Sequence, residues 1–236
     1  MKILVIPDVH LKPQMFQRAS EILEAGTADR AVCLMDLPDD WDRQFDLDLY
    51  IQTFDYAIEF AEEHPDTLWC WGNHDLCYKW NRRESGYSST AAYTVLRSLA
   101  MLEDVLQEEN PIRYVQRIDH LIFSHGGIAD CFIDTFVPEK KHNQVDEVIR
   151  LINNLGEEEM WNDLSPIWYR PQYSKMKPYS PEGFIQVTGH TPVKNVYMKD
   201  HVISCDVFSA YRNHEPIGTQ EFAVIDSITG EFTTVS

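Results

Sequence analysis

Positive charge is scarce in this sequence. Its 236 residues include 20 Lys and Arg against 38 Asp and Glu, a formal charge of −18. No Lys/Arg-rich run interrupts that balance, and such a surface repels nucleic acid and anionic membranes. Long apolar runs are missing too. Ile3-Leu4-Val5-Ile6 is too short for the apolar stretch of a signal peptide, and nothing later approaches a membrane span. The cysteines are few and odd in number: Cys33, Cys70, Cys77, Cys131 and Cys205, with no Cys-x-x-Cys pair and mostly inside apolar runs. They read as reduced core thiols of a cytoplasmic protein, not as disulfides or a zinc site. No internal repeat or low-complexity tract appears. With 44% hydrophobic and 12% aromatic residues, disorder is excluded as the overall state. The chain has enough apolar material for one domain with a sizeable core.

Six short apolar runs read as buried strands: Ile3–Ile6, Ala31–Leu34, Thr67–Trp71, Leu121–Phe123, Phe184–Val187 and Val202–Cys205. Helical spacing runs from about Gln14 to Glu24, Leu47 to Glu63 and Thr90 to Gln107. The early alternation of strand and helix predicts an α/β core. Ile112 to Phe123 reads as a hairpin turning at Asp119-His120, and two further hairpins close the chain, the last turning at Thr229-Gly230. Residues 139–181 carry a helix around Val145–Leu155, an acidic Glu157-Glu158-Glu159 and a Pro/Tyr-rich loop. They are the expected cap or specificity insert within a single domain, 1–236.

Five polar clusters directly follow five of the strands: Asp8-Val9-His10, Asp36-Leu37-Pro38-Asp39, Gly72-Asn73-His74-Asp75, His125-Gly126-Gly127 and Gly189-His190-Thr191-Pro192. Ligands bind beyond the carboxyl ends of strands in open α/β sheets, so the clusters converge on one edge. Carboxylate, imidazole and one amide oxygen suit divalent metals. Asp8 and His10 flank one ion, Asn73, His125 and His190 hold a second, and Asp36 has two oxygens with which to bridge both. Two ions roughly 3.5–4 Å apart clamp a phosphoryl group and activate a shared water. Two divalent ions and two ligand carboxylates leave about +2, a local attractor for phosphate in an acidic protein.

The ordered set DxH, DxxD, GNHD, HGG and GHTP resembles the calcineurin-like metallophosphoesterase family. With Trp168-Tyr169-Arg170-Pro171, it is most similar to the phosphoprotein-phosphatase branch, which includes bacterial and phage Ser/Thr phosphatases and diadenosine tetraphosphatases. The resemblance implies a four-layer α-β-β-α sandwich with two mixed β-sheets. It implies two divalent ions, Mn2+ first with Fe, Zn or Ni as alternatives, on Asp8, His10, Asp36, Asn73, His125 and His190. It makes His74 the general acid oriented by Asp39, and Arg170 a phosphate ligand.

Two departures stand out. Met35 replaces the glycine usual before the bridging Asp, and Asp39-Asp40-Trp41 stands where the branch has Asp-Arg-Gly. One phosphate-binding arginine is thus absent from its place, with Arg43 the nearest substitute. Local alternatives remain open: Asp39 as a helix cap, Arg170 stacked on Trp168 or Tyr169, His74 as an orienting group only. Asp206, Tyr211 and Arg212 are further candidates for the site's surroundings. His64, His120, His142, His201 and His214 read as surface residues, and the tryptophans as core. The expected activity is hydrolysis of a phosphomonoester in the manner of a Ser/Thr phosphatase. The rivals are a nucleotide phosphohydrolase such as a diadenosine tetraphosphatase, using Arg150, Arg170, Lys175 and Lys177 on a polyphosphate, and a non-catalytic phosphate- or nucleotide-binding protein.

Overall fold

The computed structural model describes residues 1–106 and 110–236. The first half runs β1 (Lys2–Ile6), α1 (Gln14–Glu24), β2 (Arg30–Cys33), α2 (Leu47–Glu63), β3 (Leu68–Trp69), α3 (Asn73–Lys79) and α4 (Ala92–Leu106). There follow β4 (Val115–Ile118), β5 (Leu121–Ser124), α5 (Asp130–Phe136), α6 (Val145–Ile152) and α7 (Glu157–Met160). The last part is all strand: β6 (Ile185–Thr188), β7 (Tyr197–Lys199), β8 (Val202–Ser204), β9 (Phe222–Asp226) and β10 (Phe232–Val235).

These strands form two mixed five-stranded sheets, ordered β10-β9-β1-β2-β3 and β4-β5-β6-β8-β7. In each, the three strands that carry site residues or lie beside them are parallel: β1, β2 and β3 in one, β5, β6 and β8 in the other. Antiparallel strands complete the edges. Helix α1 packs on β1 and α2, and α6 packs on β4. The result is the expected α/β architecture of two mixed sheets flanked by helices. Buried residues of both sheets belong to one continuous apolar cluster.

Periodicity explains the long helices. Helix α2 buries Tyr50, Phe54, Ala57, Phe60 and Ala61 along one stripe. Asp46 caps it, its side chain accepting from the Leu49 N–H at 3.3 Å, so the capping role left open for Asp39 falls to Asp46. The expected helix ending at Gln107 is seen as Ala92–Leu106, and Gln107 itself lies outside the described residues. The anticipated hairpins form, and in the last turn Gly230 takes the positive φ, 72°, that glycine adopts without strain. The strand expected over Thr67–Trp71 is only Leu68–Trp69. Beyond it the chain turns to pair with the second sheet's approach segment: Arg113 N–H donates to Trp69 O at 3.1 Å and Trp71 N–H to Arg113 O at 2.9 Å. All five cysteines are free, four of them buried and Cys131 half-buried. Among the described residues, no helix is long and apolar enough to cross a membrane.

Candidate metal centre and cleft

The parallel strands β1, β2, β3, β5 and β6 end beside one another, and the residues that follow them meet. Two sets of potential ligand atoms result: Asp8, His10 and Asp36, and Asp36, His125 and His190. Within each set the atoms lie within 4.8 Å of one another, and Asp36 belongs to both. Asn73 joins the second set, its Oδ1 lying 3.0 Å from His125 Nε2. All six residues expected as ligands are therefore brought together.

The arrangement suits cations. His125 Nε2 faces Asn73 Oδ1 at 3.0 Å, Asp36 Oδ2 at 3.1 Å and His190 Nδ1 at 3.1 Å. One N–H cannot serve three partners, whereas an ion among them satisfies all. His190 Nε2 is buried with no hydrogen-bond partner among the described residues. The distal ring nitrogens are held by backbone: His10 Nδ1 lies 2.9 Å from Asp39 O, and His125 Nδ1 lies 2.9 Å from Leu34 O. A carbonyl at Nδ1 fixes the tautomer that leaves Nε2 free to bind.

Backbone groups orient the carboxylates. Asp8 accepts the His190 N–H at 2.8 and 3.0 Å, and Asp36 Oδ1 accepts the His74 N–H at 2.9 Å. A Cβ at Gly72 would collide with the Asp36 carboxylate, and one at Gly189 with that of Asp8. His10, Asp36, Asp39 and His190 all have positive φ, between 43° and 69°. Non-glycine residues hold that conformation only where the surroundings impose it.

Charge follows the same plan. Burial pushes the Asp8 carboxyl well up, aided by the charge of Asp206. Burial also acts on Asp36, but the charges of His125 and His74 outweigh it and hold this carboxyl below the ordinary range. Burial lowers His10, and burial with the charges of His125 and Arg170 lowers His190 far more, so both are neutral imidazoles ready to ligate. Burial opposes charge on His125, but Asp36 and Asp8 raise it to about 9. In that state a proton does the work of a cation among carboxylates.

His74 and Asp39 form a pair beside this cluster. His74 Nδ1 lies 3.0 Å from Asp39 Oδ2. The other oxygen of Asp39 accepts from Tyr50 at 2.8 Å and Tyr78 at 2.5 Å. Burial opposes charge on His74, but Asp36 and the hydrogen bond to Asp39 raise it to about 9, so the ring carries a proton at neutral pH. Arg170 Nη1 donates to His190 O at 2.6 Å and to Thr191 Oγ1 at 3.3 Å. That anchors it to the loop bearing a ligand rather than over Trp168 or Tyr169.

His10, Asp36, Asp39, His74, Arg170 and His190 line a cleft of about 300 Å³, together with Asp40, Trp41, Tyr211 and Arg212. Arg43 is not brought there. Its guanidinium is half exposed and lies 3.7 Å from Asp46 at the start of α2. Arg150 is engaged with Glu147, and neither it nor Lys175 or Lys177 lines the cleft, so the anticipated basic track for a polyphosphate does not form. None of the five histidines read as surface residues lines the cleft. Trp41 departs from the reading of tryptophans as core, standing 43% exposed at the cleft wall.

Several residues that shape the site had no assigned role. Asp75 accepts from the N–H groups of Asp36 at 2.9 Å, Leu37 at 3.1 Å and Gly72 at 3.2 Å, tying two of the five clusters together. Its signal was an acidic residue three positions after a glycine that begins a helix. Tyr50 and Tyr78, which hold Asp39, carry no local sequence signal of that role. Lys12 donates to His10 O at 3.1 Å and pairs with Asp40 at 3.4 Å. Asp206, by contrast, was expected among the site's surroundings, and it is buried near Asp8 and accepts from Ser209.

Known proteins share this plan. The family model for calcineurin-like phosphoesterases matches residues 1–217. No curated protein sequence matches the chain. Among solved structures, a cold-active protein-tyrosine phosphatase of the psychrophile Shewanella sp. is similar over 100% of this chain and 80% of its own, with TM-score 0.58 and 16% identity. A hypothetical protein from Pyrococcus horikoshii is similar over 100% and 87%, with TM-score 0.51 and 12% identity. One from Thermus thermophilus is similar over 99% and 97%, with TM-score 0.50 and 12% identity. At such identities these likenesses speak for the fold alone. The match over residues 1–217, on a site whose residues come from five strand ends, establishes that the chain belongs to the calcineurin-like phosphoesterase family of metal-dependent phosphoester hydrolases.

Proposed function

We propose that the chain hydrolyses phosphomonoesters on the plan of a Ser/Thr phosphatase, with two divalent ions held by Asp8, His10 and Asp36 and by Asp36, Asn73, His125 and His190. The observation that carries this reading is the sharing of Asp36 between the two ligand sets beside the His74–Asp39 pair. When bound, the ions supply Lewis-acid charge for the phosphoryl oxygens and a nucleophile at neutral pH, with Mn2+ the first choice.

The protein's own residues do the rest. Arg170, fixed through its bond to His190 O, presents its remaining N–H groups to phosphate oxygens. His74 holds a proton on the ring nitrogen opposite Asp39 and delivers it to the leaving oxygen. Tyr50 and Tyr78 keep Asp39 from rotating away. The insert at 139–181 contributes to specificity through Arg170, its one residue at the cleft wall. The absence of Lys175, Lys177 and Arg150 from that wall favours a single phosphoryl group over a tetraphosphate chain.

A substrate panel on metal-loaded protein tests the reading: p-nitrophenyl phosphate, phosphopeptides and dinucleoside polyphosphates, with Mn2+ added. Phosphate release from the monoesters is expected. Turnover of the dinucleoside polyphosphates alone would replace this proposal with the nucleotide-hydrolase reading, and binding without turnover of any would leave a binding protein.

A further inference from the structure

The far wall of the cleft has its own chemistry. Trp41 and Tyr211 line it while remaining 43% and 50% exposed, so both keep surface free for a ligand. In sequence they are far apart, yet the Trp41 indole N–H donates to Ala210 O at 3.0 Å, which joins the loop after β2 to the loop after β8. The second loop is braced. Tyr211 N–H donates to Glu215 O at 2.9 Å, His214 N–H to Tyr211 O at 2.8 Å and Ile217 N–H to Ser209 O at 3.0 Å. Ser209 in turn donates through its N–H and hydroxyl to Asp206. The Trp41 ring is held by its own N–H and the backbone that carries Tyr211 is fixed, so part of the ordering is done before any ligand arrives, which favours binding.

Arg212 stands at the same wall. Some arginines meet acids, as Arg43 meets Asp46, Arg82 meets Glu157 and Glu158, Arg117 meets Asp146 and Arg150 meets Glu147, whereas at the cleft Arg170 meets none among the described residues. Among the described residues, Arg212 has no carboxylate within ion-pair distance, in a chain with 38 acidic residues. A guanidinium without an acid partner beside two partly exposed aromatic side chains is a recognition surface for an anion attached to a ring. The cleft, at about 300 Å³, is at the small end for ligand pockets and suits one phosphoryl group with one ring system.

We propose that Trp41, Tyr211 and Arg212 form a leaving-group subsite that selects phosphoesters whose leaving group carries a planar aromatic ring. The ring stacks on Trp41 and Tyr211, and Arg212 contacts the phosphate from the side opposite Arg170. This rests on the phosphomonoesterase reading. It also gives the cleft a second arginine where Asp40 occupies the position of the branch's usual one.

The test uses competitive inhibition of p-nitrophenyl phosphate hydrolysis by the full, Mn2+-loaded chain. Two matched pairs serve as inhibitors: AMP against ribose 5-phosphate, and benzylphosphonate against methylphosphonate. The ring-bearing member should bind roughly tenfold more tightly, the size of one good aromatic contact. Trp41→Ala and Tyr211→Ala should bring that ratio towards one, and Arg212→Ala should weaken both members of a pair together. A ratio above one in only the AMP pair assigns the ring to a nucleobase, and in only the benzyl pair to an aryl group. Ratios of one in the parent protein, or ratios unmoved by both aromatic variants, overturn the subsite. Arg170→Ala should weaken all four inhibitors and preserve the ratios. If p-nitrophenyl phosphate is not hydrolysed at all, the phosphomonoesterase reading fails separately. Calorimetric titration with the two phosphonates, which needs no turnover, then decides the subsite by the same ratio.

Discussion

Asp39 meets the imidazole of His74 with one carboxylate oxygen and gives the other to two tyrosines. Oδ2 lies 3.0 Å from His74 Nδ1, while Oδ1 accepts from Tyr50 and Tyr78. The carboxylate is thereby locked from both sides, and the ring it holds can turn only one nitrogen towards the cleft. That is the geometry of a positioned proton donor.

His74→Asn should matter in proportion to how badly the leaving group needs a proton. A serine alkoxide is a poor leaving group, so the loss on a phosphoserine substrate should be on the order of 10²–10⁴-fold. p-Nitrophenolate leaves without protonation, and its release should suffer far less. Both substrates are to be compared on one metal-loaded preparation. Equal losses on the two would make His74 a positioning group for phosphate or water.

Asp36→Asn should strip metal from both ligand sets, because this residue alone belongs to the two of them. Elemental analysis should find two ions per parent chain at saturating Mn2+ and a deficit at both sites in the variant. A chelator should lower the melting temperature of the parent, since Asp8 and Asp36 then remain buried without their counter-ions, and added Mn2+ should restore it. One ion per chain with full activity would sink the two-metal reading.

Asp75→Ala should be strongly destabilising although Asp75 contacts no proposed ligand atom. It leaves the N–H groups of Asp36, Leu37 and Gly72 without their acceptor. Each orphaned buried donor costs about 1–3 kcal/mol, so a loss of roughly 3 kcal/mol or more is expected in denaturant unfolding. Asp75→Asn keeps one acceptor oxygen and should lose less. An Ala variant as stable as the parent would show that the turn at Asp36 holds itself.

Glu147 provides a pH marker outside the candidate ligand sets and the cleft wall. Hydrogen bonds from Arg150, with Lys141 adding its charge, hold this carboxyl down to about 2 from 4.5. Its pKa is lower folded than unfolded, so its stabilising contribution is present above 4.5 and fades as pH falls towards 2. The melting temperatures of the parent and Glu147→Gln should differ most at neutral pH and converge across that window. An NMR titration of the side-chain carboxyl reads the same shift directly. A midpoint near that of an ordinary glutamate would mean that the contact with Arg150 does not persist in solution.

Much of this was visible in the chain itself. Short apolar runs, most followed at once by a polar cluster, marked the strand ends, and residue type with that placement singled out Asp8, His10, Asp36, Asn73, His125 and His190 as candidate metal donors, which the fold brings together. Long helices showed through their spacing, although the face α2 buries is Tyr50–Phe54–Ala57–Ala61 and not the expected Leu47–Ile51–Phe54–Ile58–Ala61, of which Ile51 is exposed. Short elements did not. Helix α3 spans seven residues, too few to display a period, and it begins within a motif that reads as a loop. The strand after Thr67 was overestimated because Cys70 and Trp71 are apolar but pair with the segment at Arg113.

Local composition, then, determined which groups the site contains, because a donor's chemistry belongs to its side chain and a strand end is a local event. The tertiary structure decided which groups meet. Asp8 accepts a hydrogen bond from a residue 182 positions away, and Trp41 donates to one 169 positions away. Arg43, close in sequence to the vacant arginine position, pairs with Asp46, whereas Arg212 reaches the cleft from the far end of the chain. Such contacts follow from sheet order and register, which bring distant segments side by side and leave no periodic trace in either one.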